Sequence, residues 1–292
     1  MSSMTSLIKR NLKIFLRDRA AVFFSFLAIF IIIGLYVLFL GDNIASSFKE
    51  MLGDNSRFIA DSWVMAGILS VTSITTTLGA FGIMVEDRSN KILKDFLSAP
   101  IKRSQISTEY IISSFLIGII MSLISLVVAE IYIVANGGEF LGLLSLIKLL
   151  GVMLLSVFAG SSMVFFMVTF FKSSNAFSSV STVIGTLIGF LTGIYIPIGN
   201  LPSSVQTAIK IFPISHAAVL FRQIMMEEPM SESFANAPAE VSESFEQFMG
   251  VTFYFGNHEL SPLINITVLA ATGAVFLLLG IINMSVKKKS LI

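Results

Sequence analysis

The chain has 292 residues, of which 55% are hydrophobic and only 13% are charged, with a formal net charge of +1 and no cysteine. Soluble domains carry about 25% charged residues, so this composition excludes an ordinary soluble enzyme and indicates an integral membrane protein. The absence of cysteine also excludes a domain held together by disulfides.

The first predicted element is an amphipathic helix within residues 1–19. Its basic residues fall on one side of a helix and its large apolar residues on the other, which is typical of a helix lying in the membrane interface. The two sets are Lys9, Arg10, Lys13 and Arg17, and Met4, Leu7, Ile8, Leu12 and Phe15. Two roles remain open: anchoring by positive charge, or a lever that transmits force from a soluble partner.

Six uncharged stretches follow, each long enough to cross a hydrocarbon core about 30 Å thick, which needs roughly 20 residues of helix. They predict spans at residues 20–41, 62–85, 110–129, 149–171, 173–196 and 260–286. Together they form one transmembrane domain, residues 20–292. We expect no charged or histidine side chain deep in a span, which argues against an ion-coupled pump, since such pumps need charges inside the membrane.

Lysine and arginine are concentrated on one side of the predicted membrane. Fourteen of the 19 fall before the first span, between spans two and three, between spans four and five, or after span six. The positive-inside rule therefore places both termini in the cytoplasm. A cleaved signal peptide is the alternative for the N-terminus, but the apolar run is about twice too long for one.

The second and fifth spans are rich in small and hydroxylated residues, which let helices approach closely. The residues concerned are Thr72, Thr75, Thr76 and Gly79 in the second span, and Ser181, Gly185, Gly189 and Gly193, spaced four apart, in the fifth. Packing within one bundle is one interpretation. The other is that these two helices line a translocation path or a seam between helices of two subunits.

The long segment between spans five and six, residues 197–259, is predicted to face outward. Residues 203–226 are too apolar for a solvated loop and are interrupted by proline, so we expect a re-entrant hairpin of one or two short helices. Residues 227–246 are expected to be polar and exposed. The two histidines, His216 and His258, are isolated, so we expect no metal site and no catalytic residue, and His216 is predicted to be a structural hydrogen-bonding residue.

A short charged stretch at residues 86–106 separates spans two and three. Four large apolar residues stand there at helical spacing, namely Ile92, Leu93, Phe96 and Leu97, and Pro100 ends the pattern. The stretch therefore predicts a short amphipathic helix that faces the cytosol and docks a partner. A solvated connecting loop is the alternative. The chain has no phosphate-binding Gly-x-x-x-x-Gly-Lys motif of its own.

Three patches of the sequence resemble ABC-2 type transporter permeases. Glu86-Asp87-Arg88 through Leu97-Ser98-Ala99-Pro100-Ile101-Lys102-Arg103 resembles the coupling-helix signature of that family. Gly193-Ile194-Tyr195-Ile196-Pro197, with Leu201-Pro202, Phe212-Pro213, His216 and Arg222, is similar to the motif after its fifth span, and Leu16-Arg17-Asp18-Arg19 to the entry of its first. The sequence departs where Ser89-Asn90 replaces a frequent glycine.

The resemblance implies an all-α permease of the bacterial cytoplasmic membrane with six transmembrane helices. It pairs with a second permease copy, the same chain or a related one, and with a separate cytoplasmic ABC ATPase that binds ATP and Mg, while this chain binds no cofactor or nucleic acid. The implied ATPase-docking residues are Glu86, Asp87, Arg88, Lys91, Ile92, Leu93, Lys94, Phe96 and Leu97. The implied outer re-entrant motif is Pro197, Leu201, Pro202, Pro213, His216 and Arg222.

The expected substrate is an amphiphilic small molecule, such as a drug, a toxin or a lipid-like metabolite, because the spans are rich in phenylalanine and hydroxyl groups. Export of a lipid-linked polysaccharide is the alternative within the family. A membrane-embedded lipid-modifying enzyme is less favoured, because it needs clustered His, Asp or Glu. A regulatory or immunity-type membrane module without transport also remains open.

Overall fold

The computed structural model describes residues 3–93, 96, 103–256 and 258–287, and these are almost entirely helical. The α-helices in these ranges are α1 (Ser3–Arg17), α2 (Arg19–Leu35), α3 (Gly41–Ser47), α4 (Lys49–Leu52), α5 (Ser56–Ser89), α6 (Arg103–Ala135), α7 (Leu143–Val168), α8 (Ser174–Leu191), α9 (Ser203–Ile211), α10 (Pro213–Met225), α11 (Glu227–Ser233), α12 (Ala239–Met249) and α13 (Pro262–Lys287). A π-helical turn (Tyr36–Leu40) joins α2 to α3, 3-10 turns lie at Gly53–Asn55 and Ile198–Asn200, and β1 (Tyr254–Phe255) pairs antiparallel with β2 (His258–Glu259).

Six helical segments among the described residues are long and apolar enough to cross a membrane, which confirms the predicted all-α class with six spans. They lie at Ile29–Ser47, Lys49–Ser89, Gln105–Ala135, Leu143–Val168, Ser174–Leu191 and Pro262–Ser285. Each predicted span therefore has a helix. The orientation of the helices in the membrane stays a prediction.

Helix α5 is the centre of the bundle and packs against α2, α6, α7, α8 and α10. Its most apolar window is 89% buried, against 17% to 44% for the other spans. Thr72 donates to the Ile68 carbonyl at 2.8 Å and Thr76 to the Thr72 carbonyl at 2.7 Å, so these buried hydroxyls are satisfied within the helix. Helix α7 approaches so closely that a Cβ at Gly160 would lie 2.8 Å from the Ser73 carbonyl oxygen.

The first and fifth spans end at other residues than predicted, and the helices of the second and third extend beyond both of their predicted bounds. The first, predicted at 20–41, continues as helix through the π-helical turn and α3 to Ser47. The fifth, predicted to reach residue 196, ends at Leu191 because Gly193 adopts a left-handed backbone with φ +64°. A left-handed glycine just past the last helical residues is a common way for a helix to stop.

Helix α1 lies along the bundle, where it packs mainly against α6 and also touches α2 and α5. Phe15 and Asn11 are each 1% exposed on its inner face, whereas Lys9, Lys13 and Arg17 are exposed on its outer face. The amphipathic helix predicted at the N-terminus is therefore present. Its depth in the membrane interface stays a prediction.

The segment between the fifth and sixth spans begins with a sharply bent helix pair. Helices α9 and α10 meet at 89°, and Pro213 occupies the first turn of α10, where its missing N–H costs nothing. The break falls inside the predicted re-entrant hairpin, whose insertion into the membrane remains a prediction. Residues 227–246 are not a wholly exposed loop. They form α11 and the first part of α12, with residues 234–238 non-helical between them, and these helices turn Met230 and Phe245 into the core.

Candidate functional site

A buried ion pair joins α1 to α5 at the end of the bundle that carries α1, hereafter the α1 end. Arg10 Nη1 and Nη2 lie 2.7 and 2.8 Å from the two carboxylate oxygens of Asp87, which is the bidentate geometry of a strong arginine–carboxylate pair. Tyr110 of α6 donates its hydroxyl to the same carboxylate. Asp87 is only 3% exposed, so three helices meet on one carboxylate that water hardly reaches.

Arg10 stays protonated in this setting. Its hydrogen bond to Asp87 and the charge of that carboxylate raise the pKa of the Arg10 guanidinium, against the opposing effect of burial. The guanidinium also lies over the Phe96 ring, 5.2 Å from its centroid. Arg10 therefore links α1 to both the last turn of α5 and the charged stretch that follows it.

A second polar group holds α1 beside this pair. Asn11 donates to Glu109 Oε1 at 3.4 Å and to Ser113 Oγ at 3.2 Å, both on α6. Glu109 is fully buried, and its Oε2 has no hydrogen-bond partner among the residues that the structure describes. Sequence reasoning missed Asn11, Glu109 and Tyr110. The available signal was a glutamate placed directly before an uncharged span.

Arg88 attaches the same turn of α5 to the end of α7. Its Nη1 donates to the carbonyl oxygens of Val168 at 3.2 Å and Phe171 at 2.6 Å. The last carbonyls of a helix have no partner within the helix, so a neighbouring cation that donates to them is stabilising. Consecutive residues Asp87 and Arg88 thus bind helices on two different sides of α5.

These contacts divide the predicted ATPase-docking residues into groups. Asp87 and Arg88 are turned inward and are used within the bundle. Leu93 and Phe96 are half-buried against the core. Glu86 and Lys91 are exposed and Ile92 is half-exposed. Lys94 and Leu97 lie outside the described residues.

The turn that separates α5 from the charged stretch is made by a strained residue. Lys91 has φ +63° and is the one non-glycine with a positive φ in the described part of the chain. Its N–H donates to the Arg88 carbonyl, and that of Asn90 to the Glu86 carbonyl, which closes the end of α5. This position favours glycine, because a side chain in left-handed backbone costs about 1 kcal/mol or more.

The small residues predicted to line a path or seam also fall into two groups, one in each span. Those of the second span lie inside the bundle of this one chain: Thr72 and Thr76 are fully buried, Thr75 is 8% exposed, and Gly79 faces Ser25 and Phe15 of the first span and α1. In the fifth span, Gly189 packs against the Tyr195 ring, whereas a Cβ at Gly185 would meet nothing within 4 Å. Ser181 is half-buried beside it, and its Oγ has no hydrogen-bond partner among the described residues.

Another arginine, Arg222, joins several elements at the opposite end of the bundle. It is 1% exposed and donates to the carbonyls of Gly193 at 2.8 Å and Gly250 at 3.2 Å, two glycines with positive φ. Its guanidinium lies 4.7 Å from the Trp63 ring centroid, and Trp63 Nε1 donates to the Met249 carbonyl at 2.7 Å. Arg222 therefore ties the end of α8 and the end of α12 to α5.

The other members of the predicted outer motif lie between the fifth span and the middle of α10. His216 lies 2.6 Å from Asn265 Oδ1 of α13 and 3.0 Å from the Lys210 carbonyl oxygen, so it bridges α10 to two neighbouring elements as a structural residue. Pro213 starts α10. Pro197 is buried, Leu201 is half-exposed and Pro202 is exposed before α9.

Sequence reasoning also missed a polar cluster near the other end of α5. Asp61 is 1% exposed; Tyr36 of the π-helical turn donates to it at 2.6 Å, and Arg57 pairs with it at 3.0 Å. Arg57 also donates to Tyr132 of α6 at 3.1 Å and pairs with Asp42 at 2.7 Å. Helix α5 is therefore pinned to its neighbours by a buried aspartate near each end.

Within the described residues, no group of three or more His, Cys, Asp or Glu side chains is placed to hold a metal ion. At the α1 end, the side chains of Asp87 and Arg88 at the end of α5 contact three other helices, α1, α6 and α7.

Comparison with known proteins identifies the family. A model of the family described as ABC-2 family transporter protein matches residues 42–282 of the chain. No curated protein matches the chain. The matched region contains the second to fifth membrane-spanning helices in full, the end of the first and most of the sixth, together with both Arg88 and Arg222. The chain therefore belongs to the ABC-2 family of transporter proteins and is a multi-pass membrane subunit of an ABC transporter.

Proposed function

We propose that the chain is the permease of a bacterial ABC exporter that moves an amphiphilic small molecule out of the cell. A separate cytoplasmic ATPase supplies ATP and Mg binding, and two permease copies form the pathway. Both termini and residues 86–106 face the cytoplasm in this arrangement, as the distribution of lysine and arginine indicates.

One observation carries the proposal: consecutive residues at the base of the coupling segment, residues 86–106, hold three other helices. Asp87 binds Arg10 of α1 and Tyr110 of α6, while Arg88 binds the end of α7. Force applied to the segment is therefore passed to α1, α5, α6 and α7 together. A segment that only connected two spans would not need its charges buried in this way, because burying a charge is costly unless it is paired.

The predicted docking residues have different tasks according to their burial. Glu86, Lys91 and Ile92 present side chains to solvent and form the described part of the ATPase-facing surface. Leu93 and Phe96 hold the segment to the bundle, and Asp87 and Arg88 transmit its movement. For ATP to drive a change of state, the ATPase must bind this surface differently in the inward-open and outward-open permease.

The second permease copy is proposed to pack against α8. This span is only 17% buried in its most apolar window, and Gly185 has open space where a Cβ would stand. Exposed apolar residues flank it, namely Val183, Leu187 and Phe190. Small residues on an uncovered transmembrane helix favour close helix–helix contact. The same chain or a related one fits this description.

The proposed amphiphilic substrate follows from the character of that open face. Thr182 and Thr186 are exposed among the apolar residues of α8, with their hydroxyls bonded to carbonyls of their own helix. Such a wall offers apolar contact with few charges, which suits a drug, toxin or lipid-like metabolite. Export of a lipid-linked polysaccharide is the alternative, and the exposed Phe190 ring on the same wall supports it. A lipid-modifying enzyme is disfavoured, because His216 is engaged in structural hydrogen bonds.

The test is transport in inside-out proteoliposomes that contain the permease and the ABC ATPase encoded nearest to it. A fluorescent cationic amphiphile and a lipid-linked oligosaccharide are supplied in parallel, and a hydrolysis-deficient ATPase is the control. ATP-dependent accumulation of the amphiphile alone supports the proposal. Accumulation of the oligosaccharide alone supports the alternative, and no ATP-dependent movement of either contradicts the exporter assignment.

A further inference from the structure

A shallow cationic groove, hereafter the cleft, runs along the outward face of α1 and is open to solvent. It is lined by Ser6, Lys9, Arg10, Lys13, Ile14 and Arg17. These positions recur every three to four residues, so they form one continuous stripe on the helix. Helix α1 contains no acidic residue, and the nearest carboxylate in sequence, Asp18, caps the first turn of α2 by accepting from the Ala21 N–H.

Three of the cations in the cleft are free to bind a ligand. Among the described residues, Lys9, Lys13 and Arg17 take part in no ion pair, whereas Arg10 is paired with Asp87. All three are exposed. Three neighbouring cations without counter-charges repel one another, so an anion placed beside them would be attracted by all three.

The position of the cleft in the fold points to the source of that anion. Arg17 ends α1, and α2, which leads into the first span, begins two residues later at Arg19. Ile14, which lines the cleft, is 38% exposed, and Leu16, next to Arg17 in sequence, is 45% exposed. Apolar side chains next to exposed lysines are typical of helices that sit among lipid headgroups and acyl chains. A free soluble anion would not require these apolar neighbours.

We propose that the cleft on α1 binds the headgroup phosphate of an anionic phospholipid, with Lys9, Lys13 and Arg17 as its ligands and Ile14 and Leu16 among the acyl chains. The bound headgroup also lies beside Arg10, whose guanidinium holds Asp87. Lipid bound at this site would therefore touch the side chain that joins α1 to α5. The inference does not depend on the transported substrate or on the ATPase.

Native mass spectrometry of the purified full chain in detergent, titrated with phosphatidylglycerol or phosphatidylcholine, tests the site. We expect wild type to retain phosphatidylglycerol at least tenfold more tightly than phosphatidylcholine. The variant Lys9→Gln/Lys13→Gln/Arg17→Gln should lose this preference, since each basic residue at a membrane surface contributes on the order of fivefold in affinity. The charge-matched control Lys49→Gln/Lys148→Gln/Lys172→Gln, at exposed positions elsewhere, should keep it.

A second measurement uses wild-type charges and so does not depend on the folding of the triple variant. The chain has no cysteine, so Ser6→Cys introduces a unique thiol in the cleft for an environment-sensitive fluorophore. Its emission should respond to phosphatidylglycerol vesicles but not to phosphatidylcholine vesicles, and millimolar inorganic phosphate should not compete. Equal responses to both lipids, or competition by inorganic phosphate, would overturn the proposal. So would loss of ATPase binding in the triple variant with its lipid preference intact, because the cleft would then belong to the protein partner.

Discussion

Arg10 and Asp87 stand 77 positions apart in the chain, yet they form a bidentate ion pair with N–O distances of 2.7 and 2.8 Å. The arginine side chain is 28% exposed and the aspartate 4%. The pair therefore lies at the rim of the bundle, where α1 meets the base of the coupling segment, and it is the structural link on which our account of the protein rests.

Removing one partner of this pair should destabilise the permease. Asp87→Asn leaves Arg10 without its counter-charge, and loss of one member of a buried pair costs about 3 kcal/mol, with partial exposure of Arg10 lowering the figure. Thermal unfolding in detergent should show a clear fall in midpoint for Asp87→Asn and for Arg10→Gln. We expect the double variant to be no less stable than either single variant, because the two side chains act on each other. Independent, additive losses would contradict the pairing.

Arg88 should matter for stability and not for recognition of the ATPase. Arg88→Gln removes charged hydrogen bonds to the Val168 and Phe171 carbonyls, each worth about 1.5–3 kcal/mol when the donor is charged. The unfolding midpoint should fall, while ATPase binding by the remaining folded protein stays near wild type. Arg88→Lys serves as the matched control and should recover part of the stability. A variant that is fully stable but no longer binds ATPase would show that Arg88 faces the partner.

Lys91→Gly should stabilise the chain. Glycine adopts the left-handed backbone seen at φ +63° without strain, a gain of about 1 kcal/mol that the greater freedom of glycine in the unfolded chain partly offsets. Asn90→Gly, one residue earlier at φ −83°, is the control and should be neutral or slightly destabilising. If the two substitutions had the same effect on the unfolding midpoint, the turn geometry at the end of α5 would be wrong.

Two glycine-to-alanine substitutions should separate internal packing from the open face of α8. Gly160→Ala would push a methyl group against the Ser73 carbonyl, 2.8 Å from the new Cβ, and overpacking of this kind costs about 1–3 kcal/mol. Gly185→Ala has open space and should leave the monomer as stable as wild type. The bulkier Gly185→Leu should also fold but should reduce permease–permease association, measured by single-molecule photobleaching in nanodiscs. Unchanged association would place the second copy elsewhere.

Arg222→Lys should loosen the end of the bundle opposite α1. Lysine keeps the charge but lacks the planar fork that reaches the Gly193 and Gly250 carbonyls together. We expect a loss of roughly 2 kcal/mol or more and faster proteolytic cleavage between α8 and α13, because the Gly193 and Gly250 segments are no longer joined. Trp63→Phe, which keeps an aromatic ring under the guanidinium but removes the N–H donated to Met249, should have a smaller effect.

Much of the fold could be predicted from uncharged stretches and periodicity, and the site only in part. The pattern of Ile92, Leu93 and Phe96 predicts a helix, but it does not say which side chains turn inward. The resemblance to the coupling-helix signature assigns Asp87 and Arg88 to docking, whereas the structure pairs them with groups on helices far away in sequence. Local sequence cannot reveal such long-range partners.

The cluster around Asp61 escaped prediction for a related reason. The charged residues at 57 and 61 lie just before the uncharged stretch, so the sequence pattern places them in a loop next to the span. The helix, however, begins at Ser56 and includes both residues. The spacing of Arg57 and Asp61, four apart on one helix face, was the available signal. Its burial depends on Tyr36 in the π-helical turn and on Tyr132 of α6, which only the packing of the bundle brings together.

Binding of the ATPase to the exposed part of the coupling segment tests the central claim most directly. The permease is co-purified in lipid nanodiscs with its ABC ATPase, as wild type and as the variant Glu86→Arg/Ile92→Asp, which replaces one exposed and one half-exposed side chain. The matched control is Glu240→Arg/Val241→Asp, at exposed positions on α12. We predict that wild type and control bind and stimulate the ATPase, while the coupling-segment variant keeps a wild-type unfolding midpoint and loses both. Equal binding by all three proteins would contradict the account.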